Sequence, residues 1–213
     1  MMETMSKIFG ILERATAKLA PGRAPYFIEA HLVKALMVID DEGPVGRVKL
    51  SKTLGLGEGT TRTIIKHLEN EKLIKISKAG ITLTSSGNKL TANLKSRIGK
   101  EIEISRSSLT VGPFNVAILI KNAAGAIKGG VEQRDAAIKI GALGATTLIY
   151  RRGKLNMPIV DEDIFRHAPT SREALISKFK PQENDVIIIG SANDKSTAEL
   201  GAIAAALETL KAH

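Results

Sequence analysis

The sequence predicts an α+β protein in which three helices and a β-hairpin are followed by a small α/β domain. Changes in hydrophobic period predict this division. Apolar residues recur at helical spacing up to residue 72 and alternate over 73–84, and strands alternate with helices after a polar linker at 101–112. The first part of the chain also has an excess of positive charge. Residues 43–100 hold 12 Lys and Arg against 3 acidic residues, a net charge of +9 that equals that of the whole 213-residue chain.

The composition excludes several classes of site. With no cysteine, the chain has no disulfide framework, no thiolate metal site and no cysteine nucleophile. Aromatic residues make up only 3%, which leaves few side chains to stack on single-stranded nucleic acid. No run of 18 apolar residues and no signal-peptide pattern occurs, so we expect a cytoplasmic protein with no membrane partner. A pI near 9.8 favours an anionic partner, most commonly nucleic acid.

Helical spacing and Gly or Pro breaks predict the elements of the first part in order. Residues 1–25 are expected to form an N-terminal helix and a linker, and residues 26–100 the first domain. The predicted elements are a helix over 5–19, a helix over 26–40, an extended piece over 45–48, a helix over 50–56, a helix over 59–72, a hairpin over 73–84 and a helix over 86–99.

The helix over 59–72 has an apolar stripe at i, i+3, i+4 and i+7, formed by Thr61, Ile64, Ile65 and Leu68. A rotation of 100° per residue places Gly59, Arg62, Thr63 and Lys66 on the opposite face. Such a helix fits the major groove of duplex DNA, where Arg bonds guanine edges, Thr meets a thymine methyl or a phosphate, and Lys meets phosphate. His67 lies on the flank and is expected to be an ordinary surface residue.

Basic side chains beside this helix extend the predicted interface to the preceding helix and the hairpin, where they would clamp the DNA backbone. The predicted DNA-binding residues are Thr60, Arg62, Thr63, Lys66, Arg47, Lys52, Lys75 and Lys78.

Three helices followed by a hairpin is the order of a winged helix-turn-helix. The stretch from Leu54 to Ile74, with Leu-Glu-x-x-x-Leu-Ile at 68–74, resembles winged-helix transcriptional regulators, as does the exit Leu-Thr-x-x-Gly at 83–87. The resemblance covers residues 26–98 and departs at Lys72, where Gly is usual. It implies binding of double-stranded DNA by a homodimer, with a seam expected on the 86–99 helix and the N-terminal helix. Protein contact or RNA binding is the alternative.

The second domain, residues 111–213, is predicted from strands that alternate with helices. Its expected elements are a strand over 114–121, a helix over 131–141, a strand over 145–150, a turn over 151–153, a strand over 155–160, a helix over 170–180, a strand over 185–189 and a helix over 194–211.

Two loops of this domain are candidate ligand sites. Gly130 precedes a helix whose first N–H groups can receive an anion. A second loop follows the buried strand over 185–189, and ligands of open α/β sheets bind at the carboxyl ends of strands. The candidate residues are Gln133, Arg134, Asp135, Thr146, Thr147, Ser191 and Asn193. A solvated helix face with an Arg134–Asp135 contact, and a helix N-cap at 193 or 194, explain the same residues without a ligand.

No catalytic constellation stands out. The four histidines, at 31, 67, 167 and 213, are scattered, and no nucleophile–base pair is readable. Asp161, Glu162 and Asp163 are interpreted as an acidic turn rather than a cation site. We therefore expect no enzyme, no metal and no cofactor, with a small-molecule-binding protein or an enzyme in the C-terminal half as the alternative.

As a whole the chain resembles an archaeal family of winged helix-turn-helix transcriptional regulators with a C-terminal domain of unassigned function. The run Gly-Val-Glu-Gln-Arg-Asp-Ala-Ala-Ile-Lys at 130–139 and Gly-Ala-Thr-Thr-Leu at 144–148 carry the resemblance. It implies regulation but supplies no known ligand. We expect residues 111–213 to bind a small-molecule effector, to dimerise, or both.

Overall fold

The computed structural model of the chain describes residues 2–17, 27–160, 165 and 169–212, with side chains from residue 5 onward. The chain divides into two compact units, a first unit of residues 1–94 and a second unit of residues 95–213. Helix and strand are mixed, and the predicted α+β fold class is confirmed.

The first unit contains the predicted helices and hairpin, with bounds that differ by a few residues. Its elements are α1 Met2–Thr16, α2 Glu29–Glu42, α3 Arg47–Leu54, α4 Glu58–Asn70, β1 Ile74–Ser77, β2 Gly80–Leu83 and α5 Ser85–Arg97, whose last turn crosses the division between the units. The β1–β2 hairpin, named the wing below, is antiparallel and pairs Ile76 with Ile81.

The predicted extended piece over 45–48 is wrong, because α3 begins at Arg47 rather than at residue 50. Val45 and Gly46 are extended, and of the two it is Val45 that pairs with the wing. It exchanges two backbone hydrogen bonds of 2.9 Å with Ile81, which adds a third short strand to the wing. Gly46 then caps α3 in a β conformation, so the chain turns into the helix as soon as Val45 has made these bonds.

The apolar stripe of α4 forms the centre of the first unit's core. Thr61, Ile64, Ile65 and Leu68 are all buried, as the 3.6-residue period predicts. Burial of each large aliphatic side chain contributes about 1.5–3 kcal/mol. The stripe therefore fixes which face of α4 is left for solvent.

The expectation that His67 lies on the surface is wrong, since only 3% of it is exposed. The Nδ1 atom of His67 lies 2.6 Å from the backbone oxygen of Ala15, so it donates to the C-terminal turn of α1. Its ring meets Phe27 edge to face at a centroid distance of 5.2 Å. An ion pair of 3.2 Å between Arg14 and Glu71 also joins α1 to the chain next to α4. The amphipathic α1 thus covers the flank of α4 that helical spacing alone leaves open.

A histidine also caps α2. The backbone N–H of Ile28 donates to Nδ1 of His31 at 3.2 Å, in the position of a capping-box residue. Burial, and then the nearby ammonium of Lys34, lower the pKa of His31 to about 4. The imidazole is therefore neutral at pH 7 and serves as an acceptor.

The turn between α4 and the wing explains the departure from the usual glycine. Lys72 adopts φ 57°, the left-handed conformation that glycine reaches without strain. The turn therefore has the conformation for which glycine is usual, although a lysine occupies the position here.

The second unit is a five-stranded sheet with helices on both faces. Its elements are β3 Ile102–Glu103, β4 Phe114–Ile120, a 3₁₀ turn Ala124–Ala126, α6 Val131–Lys139, β5 Gly144–Arg151, β6 Lys154–Asn156, α7 Pro169–Phe179, β7 Val186–Ala192 and α8 Lys195–Lys211. The short β3 lies in the segment predicted as a linker, and β6 is shorter than its predicted span.

The strand order is β3-β4-β7-β5-β6, and every neighbouring pair is antiparallel. One face of the sheet packs through Leu119, Leu148 and Ile187 against Leu175 of α7. The other face packs against α6 and α8. Helices therefore cover both faces of a sheet in which every neighbouring pair of strands is antiparallel.

Gly190 allows α8 to lie directly on β7. A Cβ atom at Gly190 would overlap the backbone oxygen of Ala198 and lie 2.6 Å from the nitrogen of Ala202. The helix is buried along most of its length. No helix of the described residues combines the length and apolarity needed to cross a membrane.

Candidate functional site

The outer face of α4 is the first candidate site. Arg62, Thr63 and Lys66 are exposed, and Thr60 is half-buried. The Thr63 hydroxyl donates to the backbone oxygen of Gly59 at 3.1 Å, which leaves its oxygen lone pairs directed away from the helix. Arg62 and Lys66 are four residues apart, so their side chains share one face. This face carries two cations and a hydroxyl with no large apolar side chain between them.

The start of α4 is bare. Its N-cap is Gly57, which offers no side chain to the first turn, and the first backbone bond of the helix runs from Thr61 N to Gly57 O at 3.0 Å. The amides of residues 58–60 are therefore left without a cap. A Cβ atom at Gly57 or Gly59 would meet nothing within 4 Å. Uncapped N–H groups at a helix start attract anions, and Gly57 and Gly59 place no side chain there, whereas the exposed carboxylate of Glu58 lies between them in sequence.

Further cations flank α4. Arg47 and Lys52 are exposed on α3, and Lys75 and Lys78 are exposed on the wing. Around the two-residue turn of the wing, Ser77 Oγ donates to Gly80 O and accepts from the amide of Ala79, each at 3.2 Å.

Within the described part of the chain, none of the six predicted cations forms an ion pair. The six are Arg47, Lys52, Arg62, Lys66, Lys75 and Lys78. Lys49 is different, because it pairs with Glu42. Unpaired cations spread over α3, α4 and the wing suit the phosphates of a duplex, whose neutralisation releases counterions.

The candidate residues of the second unit do not form one site. Thr146 and Thr147 are adjacent in β5 and therefore point to opposite faces of the sheet. Thr146 Oγ1 donates to Leu109 O at 2.7 Å, whereas Thr147 is buried on the face that carries α6 and α8. The two candidate threonines therefore cannot contribute their hydroxyls to one pocket.

Ser191 and Asn193 also have separate surroundings. Ser191 Oγ donates to Asn115 Oδ1 at 2.7 Å, and Asn115 in turn donates to Gly112 O, which fixes the loop before β4. Asn193 is exposed, and Asp194 is the N-cap of α8, accepting from Thr197 N at 2.9 Å. The carboxyl end of β7 meets the amino ends of its antiparallel neighbours, so the rule for parallel sheets does not apply here.

The first turn of α6 contains the remaining candidates. Arg134 and Asp135 form an exposed ion pair of 3.0 Å, which is the local contact expected in the absence of a ligand. Gln133 is buried instead, and its Oε1 atom has no hydrogen-bond partner among the described residues. The Oγ1 atom of Thr147 is likewise buried and without a described partner.

Other features that bear on function are the start of α4, possible metal ligands and the acidic run. The bare start of α4 follows from Gly57 and Gly59, and their Gly-x-Gly spacing is readable in the sequence. The described residues contain no group of three His, Asp or Glu side chains placed to hold a metal. The acidic run Asp161–Asp163, together with His167 and His213, lies outside the described residues.

Comparisons with known proteins agree with the two-part division. Residues 32–98 match the family model of the CggR N-terminal DNA binding domain, and residues 111–210 match a domain of unknown function, DUF4443. No curated protein matches the chain. Among solved structures, the hypothetical protein PH0730 from Pyrococcus horikoshii OT3 is similar, with 26% identity, a TM-score of 0.64, and coverage of 85% of this chain and 98% of that one.

These matches confirm the resemblance drawn from the sequence. A DNA-binding domain is joined to a C-terminal domain without an assigned role, and the structural neighbour is archaeal. The DNA-binding domain supports DNA as a partner of the chain.

Proposed function

We propose that this chain, whose DNA-binding domain precedes a domain of unassigned role, is a transcriptional regulator that reads duplex DNA through α4 and the wing. The observation that carries the proposal is the outer face of α4, where exposed Arg62 and Lys66 lie opposite a buried face. The match of residues 32–98 to a DNA-binding domain supports the same partner.

In this proposal the contacts divide into two kinds. Arg62 reads a guanine edge in the major groove, and Thr63 contacts a thymine methyl or a phosphate. Lys66, together with the cations of α3 and the wing, binds phosphates, which position the protein without reading sequence. The bare start of α4 receives a phosphate on its first N–H groups.

We further propose that the regulator works as a homodimer on a two-fold operator, as helix-turn-helix proteins do when half-sites lie one helical turn apart. The large apolar side chains of α5 are buried, whereas Met5 and Ile11 of α1 are half-buried, so a seam on these helices would be mainly polar. The second unit is proposed to bind a small effector that shifts operator affinity by its differential affinity for two states. No catalytic step is part of the proposal.

Duplex binding measured against salt tests the DNA-binding role. The intact chain, Arg62→Ala and Lys66→Ala would be compared by fluorescence anisotropy on a duplex selected from a random library. Loss of one phosphate contact lowers the log–log salt slope by about 0.9. We expect this change for Lys66→Ala, whereas loss of a guanine contact in Arg62→Ala costs about 1–3 kcal/mol and relaxes specificity at one base pair.

Lys154→Ala is the matched control, because Lys154 is an exposed lysine on β6 of the second unit, outside the proposed interface and outside the helices proposed for the dimer seam. It removes the same charge and should leave the slope unchanged. If the selection enriches no duplex, or all three variants bind as the parent does, the proposal is wrong. A competition in which RNA displaces DNA would instead favour the alternative of an RNA-associated domain.

A further inference from the structure

We propose that the start of α6 in the second unit is a binding site for a small carboxylate that carries a neighbouring hydroxyl or ammonium group. The inference deepens the proposed function, because it rests on the sensing role of this unit and names the ligand chemistry. It is tested without DNA, so that its failure leaves the DNA-binding proposal standing.

The first observation is a pair of buried polar atoms with no partner. Gln133 is 2% exposed and Thr147 is 4% exposed, yet within the described part of the chain neither Gln133 Oε1 nor Thr147 Oγ1 has a hydrogen-bond partner. A buried polar group without a partner destabilises a fold, and such groups are few in native structures. A ligand that supplies the missing bonds removes this penalty.

Thr147 borders the N-terminus of α6, and Gln133 belongs to the first turn of that helix. Gln133 is the third residue of the helix, where the Cα–Cβ bond tilts back toward the N-terminus. Thr147 lies against the N-cap. A Cβ atom built on Gly130 would be 3.2 Å from Thr147 Cβ and 3.3 Å from Thr147 Oγ1. Thr147 of the sheet therefore borders the helix end to whose first turn Gln133 belongs.

The helix end itself is open to an anion. Gly130 is the N-cap with φ 82°, it supplies no side-chain cap, and the first backbone bond runs from Arg134 N to Gly130 O at 3.1 Å. The amides of residues 131–133 consequently lack a cap. A side chain at Gly130 would be strained by the positive φ and crowded by Thr147, so the position keeps the glycine that leaves these amides bare.

The segment after β6 packs on the adjoining glycine. The Cδ1 atom of Ile159 lies 2.9 Å from the position of a Cβ at Gly129. Ile159 is 86% exposed and adopts φ 65°, which is unusual for a β-branched residue. An apolar side chain held in this way at the mouth of the site can shield a ligand from water.

The charges select the ligand class. The bare amides favour an anionic oxygen, and the carbonyl oxygen of Gln133 accepts only from an O–H or N–H donor. Lys128 and exposed Glu132, one cation and one anion, flank this helix start in sequence, and the exposed Arg134–Asp135 ion pair adds no net charge. Because these charges nearly cancel, a singly charged carboxylate is favoured over a doubly charged phosphate. The donor group beside the carboxylate then reaches Gln133 and Thr147.

Lactate and alanine are the probes, and propionate, which lacks the hydroxyl and the ammonium, is the matched control ligand. Each is titrated into the ¹⁵N-labelled full chain without DNA, and amide shifts and thermal unfolding are recorded. We expect lactate or alanine to shift the amides of residues 131–133 and to bind roughly 10-fold or more tightly than propionate, because propionate leaves buried polar groups unpaired. Inorganic phosphate should bind more weakly than the better of the two probes.

Two adjacent variants separate a ligand role from a structural one. Thr147→Val removes a hydroxyl without a described partner, so it should raise the unfolding temperature of the ligand-free chain and reduce the preference over propionate. Thr146→Val removes the donor to Leu109 and should lower that temperature. The inference is overturned if neither probe shifts these amides at millimolar concentration, if phosphate binds more tightly than both, or if Thr147→Val destabilises the ligand-free chain.

Discussion

Replacement of Gly59 by alanine should stabilise the first unit and at the same time weaken its binding to DNA. Gly59 is the second residue of α4, and a Cβ atom there would meet nothing within 4 Å. Glycine in a helix costs about 0.5–1 kcal/mol relative to alanine. Nothing in the fold requires glycine at this position, so alanine should recover up to that amount of stability.

The same methyl group should weaken the binding of DNA. A phosphate bound to the bare amides of residues 58–60 must approach the helix backbone closely, and a Cβ atom at residue 59 lies beside that path. A hydrogen bond to a charged group contributes about 1.5–3 kcal/mol, so its loss weakens DNA binding roughly 10- to 100-fold. Opposite signs for stability and affinity are therefore the signature of the predicted contact.

Urea unfolding and fluorescence anisotropy, measured on one preparation, give the two quantities. Gly125→Ala is the matched control, because Gly125 also has open space around it but lies in the second unit. It should leave DNA affinity unchanged. If Gly59→Ala binds DNA as tightly as the parent, the start of α4 does not approach a phosphate. If the variant is less stable than the parent, the space around Gly59 is not open to a methyl group.

Two further predictions concern stability. Gly190→Ala should cost about 3 kcal/mol or more in urea unfolding, because its Cβ atom would overlap the backbone oxygen of Ala198 and backbone cannot move aside cheaply. Gly125→Ala serves again as its control, and a near-neutral result would show that α8 does not pack on β7 as described. For His31, the folded pKa of about 4 lies below the ordinary value of 6.5, so the unfolded chain takes up the proton first. The free energy of unfolding should therefore fall as pH drops from about 6.5 to 4, and His31→Gln, which accepts from Ile28 without titrating, should remove that part of the pH dependence. An unchanged pH profile in the variant would contradict the assignment.

The elements of the first unit could be predicted from the sequence because each depends on local information. Apolar spacing specifies the buried face of α4, and the alternation over 73–84 specifies the wing. The surroundings of His67 could not be predicted, because burial there comes from α1, about fifty residues earlier in the chain. Helical spacing predicts the face of a helix on which a residue lies, but it does not predict which other helix packs against that face.

The direction of the strands in the second unit also could not be predicted from local sequence patterns. Alternation of strands and helices is typical of parallel sheets, yet β7 runs antiparallel to both β4 and β5. Ser191 was consequently predicted beside a ligand and instead hydrogen-bonds Asn115. Gln133 and Thr147 were among the predicted residues, but the position of Thr147 against Gly130 depends on how α6 packs on β5. The sequence supplies residue types, and only packing decides which of them converge.

The two proposed sites rest on one physical feature, which is a helix start left bare by glycine. At α4 the bare amides lie beside exposed cations, so the site suits DNA, a large and highly charged partner that releases counterions when its phosphates are neutralised. At α6 the bare amides lie beside buried oxygens without described partners, so the site suits a small partner that supplies hydrogen bonds. Satisfying two such oxygens removes about 1–3 kcal/mol each. Coupling between two sites typically amounts to about 1–3 kcal/mol. The free energy of ligand binding at α6 is therefore large enough to change operator affinity several-fold or more. This requires that only one conformational state of the chain binds the ligand.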